Sequence, residues 1–193
     1  VQYKNKTYIY IGYIMQLGIY GTSSILSGTY LVLAQQNEID IPFSFGSSSL
    51  EMYIGMTFFF YFLAQTISMT AMSFTLVWTY RRSFILLAQV LYLGFLFCLG
   101  GCTQPYVCWL LAFCGGFAGG FAYQTSTYYS FRASESSKNL FLGISEAVGG
   151  LGNCLLPLIS GLLCTALNNN YIQIYISAIF ILFCIILEEI VYH

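Results

Sequence analysis

The sequence predicts an all-α membrane protein: six transmembrane helices in one domain spanning residues 1–193, with both termini on the cytoplasmic side. Three observations carry this reading. Six stretches are apolar over the length that a bilayer demands, about 20 residues for a helix. Only 7% of the residues are charged and 58% are hydrophobic, whereas a soluble domain carries roughly a quarter charged residues. All six Lys and Arg residues fall in segments that the alternation of spans places on one side.

The spans are residues 8–34, 50–78, 84–101, 105–131, 140–166 and 171–191. Backbone groups facing lipid have no water to bond, so a spanning segment is a helix or a strand of a closed barrel. Runs of this length without period-2 alternation exclude the barrel.

Span one follows Lys4 and Lys6 and carries Gln16 and Tyr20. A polar loop from Gln35 to Ser49, with Glu38, Asp40 and Pro42, leads to span two. Ser48 and Glu51 have capping-box spacing, which would satisfy free amide donors at the start of that helix. Span two carries Gln65 and ends at the turn holding Arg81 and Arg82. Span three carries Gln89 and ends before Thr103, and Pro105 opens span four, where its missing N–H costs nothing. Span four holds Gln124 and is followed by the short hydrophilic link Arg132 to Lys138. Span five holds Glu146, Asn153 and Pro157, and Asn168, Asn169 and Asn170 turn the chain into span six.

Lys4, Lys6, Arg81, Arg82, Arg132 and Lys138 therefore share one side, and the opposite loops carry no basic residue. Basic loops stay cytoplasmic, which sets the orientation. Tyr8, Trp78, Tyr80, Trp109, Tyr128, Tyr171 and Tyr192 fall near the expected interfaces, where aromatic rings gather. The lipid bilayer is the expected surrounding, in a cell membrane. The first apolar run is too long for a cleavable signal peptide. The initial Val, in place of Met, points to a fragment.

Composition also narrows the function. A net charge of −1 and the lack of a long basic run argue against a nucleic-acid partner. The seven cysteines are scattered through apolar segments and read as small buried hydrophobes. The one histidine is His193, so no metal site and no cofactor are expected. A six-helix intramembrane serine protease would need a G-x-S-G serine and a histidine within the membrane, and the sequence has neither. An enzyme is not expected.

Inside the spans, two features stand out. Span four holds two overlapping G-x-x-x-G patterns, Gly115/Gly119 and Gly116/Gly120, which let another backbone approach closely. This is static packing or a face along which helices move. Span five is thinned by Gly143, Gly149, Gly150, Gly152 and Gly161 and loses a backbone hydrogen bond at Pro157, which is expected to bend it.

Glu146 is the one carboxylate clearly within a span. It lies about 12 Å beyond Lys138 at 1.5 Å per residue. An ionised acid at mid-membrane costs on the order of 3 kcal/mol, so it is expected to face the bundle interior, a partner or water. Two roles stay open: a proton- or substrate-coupling acid, or a latch to Arg81, Arg82 or Arg132. Glu188 and Glu189 are expected at the cytoplasmic rim. Gln16, Tyr20, Gln65, Gln124 and Asn153, drawn from spans one, two, four and five, are the candidates for lining a cavity. Interhelical hydrogen bonding is their alternative role.

This arrangement resembles one half of a major facilitator superfamily transporter. The resemblance rests on six spans with both ends inside, the turn Trp78-Thr-Tyr-Arg-Arg-Ser, the glycine-rich fourth span and the basic link Arg132–Lys138. After that link comes Gly143-Ile-Ser-Glu146, then Gly152, Pro157 and Gly161. The turn lacks the Gly and Asp that precede the basic residues in the family's N-terminal half, which makes this the C-terminal half. The resemblance implies spans one, two, four and five around a central cavity, with spans three and six facing lipid. It also implies a second six-helix half, in the same chain or through dimerisation. The expected function is transport of a small solute by alternating access, as a secondary transporter driven by protons, another ion or the solute's own gradient. A non-transporting receptor-like or scaffold subunit is the alternative.

Overall fold

The computed structural model describes residues 2–36, 49–133, 137–169 and 171–193. These form six helices: α1 Gln2–Gln36, α2 Ser49–Phe74, α3 Arg82–Gly101, α4 Pro105–Arg132, α5 Lys138–Leu167 and α6 Ile172–Tyr192. No strand occurs among the described residues. The acidic loop with Glu38, Asp40 and Pro42, the capping residue Ser48, and Asn170 lie outside them.

Among the described residues, five helices, α2 to α6, are long and apolar enough to cross a membrane. α1, the predicted first span, carries Gln16, Thr22, Ser23, Ser24, Ser27 and Thr29 along its length. The polarity of α1 is largely absorbed by protein. It packs against α4, α5 and α6, Gln16 and Thr22 are buried, and the Thr22 and Thr29 hydroxyls donate to Gly18 and Ile25 carbonyls one turn back.

The second helix ends at Phe74, four residues earlier than the predicted end of span two at residue 78. The chain then turns, and Trp78 folds back under the bundle. Its indole Nε1 donates to the Met72 carbonyl at 3.1 Å. Its ring meets Phe121 and Tyr128 edge to face, with centroids 5.9 and 5.1 Å away. Trp78, expected near the membrane interface, is covered by protein. Tyr80 takes a left-handed conformation with φ 56°, which disfavours residues with a Cβ. Its backbone is held on both sides: the N–H donates to the Tyr129 hydroxyl at 3.2 Å, and the carbonyl accepts from the Tyr8 hydroxyl at 2.8 Å.

The packing partners follow a rule of exchange. α1 lies most extensively along α5, as α4 does along α2; α1 also meets α6, as α4 meets α3; and α1 touches α4 as α3 touches α6. Swapping α1 with α4, α2 with α5 and α3 with α6 maps these contacts onto themselves, whereas the contact of α5 with α6 has no comparable counterpart between α2 and α3. The members of each swapped pair run in opposite directions, so the two three-helix units are inverted relative to each other.

Glycine makes the two main contacts possible. A Cβ on Gly116 or Gly120 would run into the α2 backbone at Tyr61 and Gln65, and one on Gly152 would run into the α1 backbone at Leu17. All three glycines lie near the middle of their helices. The other two glycines of the predicted α4 face do something else: Gly115 makes room for the Phe95 ring, and Gly119 for the Tyr61 and Tyr92 side chains. Gly149 lies against the Gln16 and Tyr20 side chains, while Gly143, Gly150 and Gly161 face open space.

Pro157 sits inside α5, and the helix runs through it from Lys138 to Leu167. Proline has no N–H to give the carbonyl four residues back, which here is that of Asn153. The Ser24 hydroxyl of α1 supplies the missing donor at 3.3 Å.

All seven cysteines are free, and three of them, Cys98, Cys114 and Cys154, are exposed on the bundle surface rather than buried. A chain that expects lipid can carry small apolar thiols outward, which is why the buried reading fails for these three.

Candidate functional site

The cavity lies between α1, α2, α4 and α5, with Phe95 and Leu99 of α3 behind it, and has a volume of about 620 Å³. That is within the usual range for small-molecule sites, about 300–1,000 Å³. Its walls come from the late part of α1 (Leu26, Ser27, Tyr30), the early part of α2 (Thr57, Phe58) and Ala112 at the start of α4. It therefore occupies the half of the bundle toward the α1–α2 and α3–α4 connections. Ser27, Phe62 and Asn153 are exposed at its margin.

Three of the predicted cavity residues, Tyr20, Gln65 and Asn153, line it. Gln16 does not. It is buried between α1, α4 and α5, where its amide oxygen accepts from the Ser126 hydroxyl and its nitrogen faces Glu146 Oε1 at 3.4 Å. Gln124 is half-buried and outside the lining. Gln16 lies one turn before Tyr20 on the same α1 stripe, short of the cavity, and Gln124 faces another way than its neighbour Tyr123, distinctions that residue type alone does not make.

The cavity also holds groups that sequence reasoning missed: Tyr123 from α4, Ser23, Ser24 and Ser27 from α1, and Tyr61 from α2. Spacing could have found them. Tyr20, Ser23 and Ser24, Ser27 and Tyr30 recur every three or four residues, one stripe of an α-helix. Thr57, Tyr61 and Gln65 repeat the pattern on α2.

Behind the lining is a chain of hydroxyls. Thr22 and Tyr92 approach to 3.1 Å, Tyr92 and Tyr61 to 3.5 Å, and Tyr61 and Ser23 to 3.4 Å. Tyr30 and Tyr53 pair at 2.8 Å nearby. Hydroxyls can reverse donor and acceptor roles, so this floor can orient toward either kind of ligand atom.

Glu146 is exposed and accepts hydrogen bonds from the Tyr20 hydroxyl at 3.0 Å and from Gln16 Nε2 at 3.4 Å. None of Arg81, Arg82 or Arg132 is among its described partners. The acid is joined to the cavity through Tyr20.

The ion pair lies elsewhere, at the opposite end of the bundle. Arg82 donates to Glu188 at 2.6 Å and to Glu189 at 2.7 Å, and Gln89 Nε2 donates to the other Glu188 oxygen at 2.6 Å. Glu188 was expected at the rim and is instead fully buried, and Arg82, expected as a loop charge, is buried with it. Two adjacent acids at a helix end read as solvated because their arginine comes from a helix about 100 residues away in sequence. The remaining basic loop residues behave as expected: Arg81, Arg132 and Lys138 are exposed, with Arg132 over the Tyr128 ring at 5.5 Å.

Tyr8, Tyr80 and Tyr129 pack together beside this ion pair, with ring centroids 5.1 to 5.3 Å apart. Partial burial raises the Tyr80 phenol above its ordinary pKa; Tyr128 adds to the rise and Arg132 opposes it. The ring stays neutral, and the cluster closes this end of the bundle. The molecule is thus open between its helices at one end and packed at the other.

No family model matches the chain, and no curated protein or solved structure is significantly similar to it.

Proposed function

We propose that this chain is one six-helix half of an alternating-access transporter of the major facilitator type, moving a small solute across a cell membrane. The observation that carries the reading is the cavity between α1, α2, α4 and α5, open toward one end and backed by packed aromatic rings at the other. These are the four helices that the resemblance assigns to the pathway. The exchange pattern of helix contacts supports it, because inverted three-helix repeats are the internal architecture of such halves.

The polarity of the surface points the same way. Glu146, Asn153, Thr66 and Ser27 are exposed on the helices around the cavity, and polar groups of this kind, the acid above all, are costly against hydrocarbon. The outer face of α6 instead presents Ile179, Leu182, Phe183, Ile186 and Ile190. A second six-helix half, in the same chain or as a second copy, covers the polar face and encloses the pathway. Both termini lie on the cytoplasmic side in this reading, and the cavity opens toward the outside.

Glu146 is the candidate coupling acid, positioned by Tyr20 and Gln16. The test is solute flux in vesicles reconstituted with the full-length protein. Flux that responds to an imposed pH gradient, and loses that response in Glu146→Gln while the protein still folds, supports the reading. Absence of flux for any solute that binds would favour a non-transporting membrane subunit.

A further inference from the structure

We infer that one water molecule is bound at Gln89, in a small cavity where α1, α3, α4 and α6 meet, and that it completes the hydrogen bonding of the network that Gln89 forms with Glu188 and Arg82. The walls are four helices of this chain, and the site is independent of the transport reading.

The need for a donor arises at Gln89. The side chain is buried, and its Nε2 donates to Glu188 Oε1 at 2.6 Å. That bond fixes which way the amide faces, because an amide oxygen turned to the carboxylate would set acceptor against acceptor. Gln89 Oε1 is thereby directed away from Glu188, and no described group donates to it. A buried acceptor left without a donor is costly. Glu188, held also by Arg82 at 2.6 Å, has no proton to offer while ionised.

The space beside the amide has the matching size. Met15 and Gly18 of α1, Gln89 and Tyr92 of α3, Ala122 of α4 and Cys184 of α6 border a cavity with about 10 Å³ of room for a water centre. That is the space of a single water. Gly18 keeps it open on the α1 side, where a Cβ would lie 3.2 Å from Cys184 Sγ. The thiol is a weak donor and acceptor, and the Gly18 carbonyl, which already accepts from Thr22, has a second lone pair. Buried waters are held by two to four such partners. An organic ligand does not fit this volume. A metal cation would find one neutral amide oxygen and, among the described residues, no carboxylate on the walls, whereas hard cations take about six oxygens or more.

The experiment uses the full-length protein in lipid nanodiscs and a short X-ray pulse, which splits bound water into hydroxyl radicals that oxidise the nearest side chains. Methionine and cysteine oxidise readily, and Met15 and Cys184 border the cavity while almost fully buried. Met72 and Cys108 are also buried and border neither cavity, so they set the background. Oxygen uptake, read by mass spectrometry of peptides, is expected to be several times faster at Met15 and Cys184 than at Met72 and Cys108. Gln89→Met makes the wall apolar and should bring Met15 and Cys184 down to that background, since apolar cavities stay dry. Gly18→Ala, which fills the space with a methyl group, should do the same.

Equal rates at the four residues in the unaltered protein would overturn the inference, and that comparison needs no variant to fold. Fast oxidation that persists in a folded Gln89→Met variant would overturn it too, because the water would not be held by that amide. A rate that drops when Na⁺ replaces choline in the buffer would assign the space to a cation instead of water.

Discussion

Arg82 of α3 and Glu188 of α6 meet at 2.6 Å with almost no exposure of either side chain. The pair ties together helices that belong to different three-helix units. Removing Glu188 leaves the buried Arg82 with Glu189 alone and takes the acceptor from Gln89 Nε2, and breaking a buried pair costs up to about 3–5 kcal/mol. Glu188→Ala is therefore expected to lower the thermal midpoint sharply. Arg82→Met combined with Glu188→Leu should recover most of the loss, because an apolar pair removes both charges together. Unfolding curves of the three variants in one detergent check this, and a double variant as unstable as the single one would refute it.

The glycines of α4 and α5 should separate into two groups. Gly116→Ala places a methyl group against the Tyr61 backbone and Gly152→Ala against that of Leu17. Overpacking of this kind costs about 1–3 kcal/mol. Gly150→Ala and Gly161→Ala meet open space and should be neutral or stabilising by up to about 1 kcal/mol, since alanine is the better helix former. Thermal midpoints of the four variants decide the matter.

Ser24 and Pro157 should be coupled although they do not exchange a bond. Ser24→Ala leaves the Asn153 carbonyl without its donor and should cost about 1 kcal/mol. Pro157→Ala restores an N–H that can reach the same carbonyl. In that background the Ser24→Ala cost should fall toward zero, a coupling visible in a double-mutant cycle. Equal costs in the two backgrounds would mean that the Ser24 bond is incidental.

Accessibility tests the openness of one end. In a background without native cysteines, Ser27→Cys should react with a membrane-impermeant thiol reagent from the outside of the cell. Arg81→Cys should react only from the cytoplasmic side, and Leu158→Cys, on the exposed apolar face of α5, should react slowly from either. Labelling of Ser27→Cys from the cytoplasm alone would reverse the proposed orientation.

The fold was legible because helix and span are set by local composition. Four of the six helices begin and end within two residues of their predicted spans; α1 starts six residues earlier, and α2 stops four residues short, where the chain turns and Trp78 packs beneath the bundle. Cavity membership was only partly legible. Tyr20, Gln65 and Asn153 were found as polar residues within apolar runs. Gln16 and Gln124 satisfy the same criterion and sit elsewhere: Gln16 is one turn beyond the cavity on the stripe of Tyr20, Gln124 is turned aside from Tyr123, and neither the depth of a cavity nor the rotation of a helix is written in local composition. Glu188 was misread for a related reason. Burial of a helix-end acid depends on a partner brought in by tertiary packing, and no local pattern announces it.

The mid-helix position of Gly116, Gly120 and Gly152 has a mechanical consequence. Each contact divides its helix into two arms of nearly equal length, about 20 Å each at 1.5 Å per residue. A change of about 10° in crossing angle there displaces both tips by about 3–4 Å in opposite senses. The bundle is geared one to one: whatever width is gained at the cavity end is lost at the tyrosine end, with no change at the fulcrum.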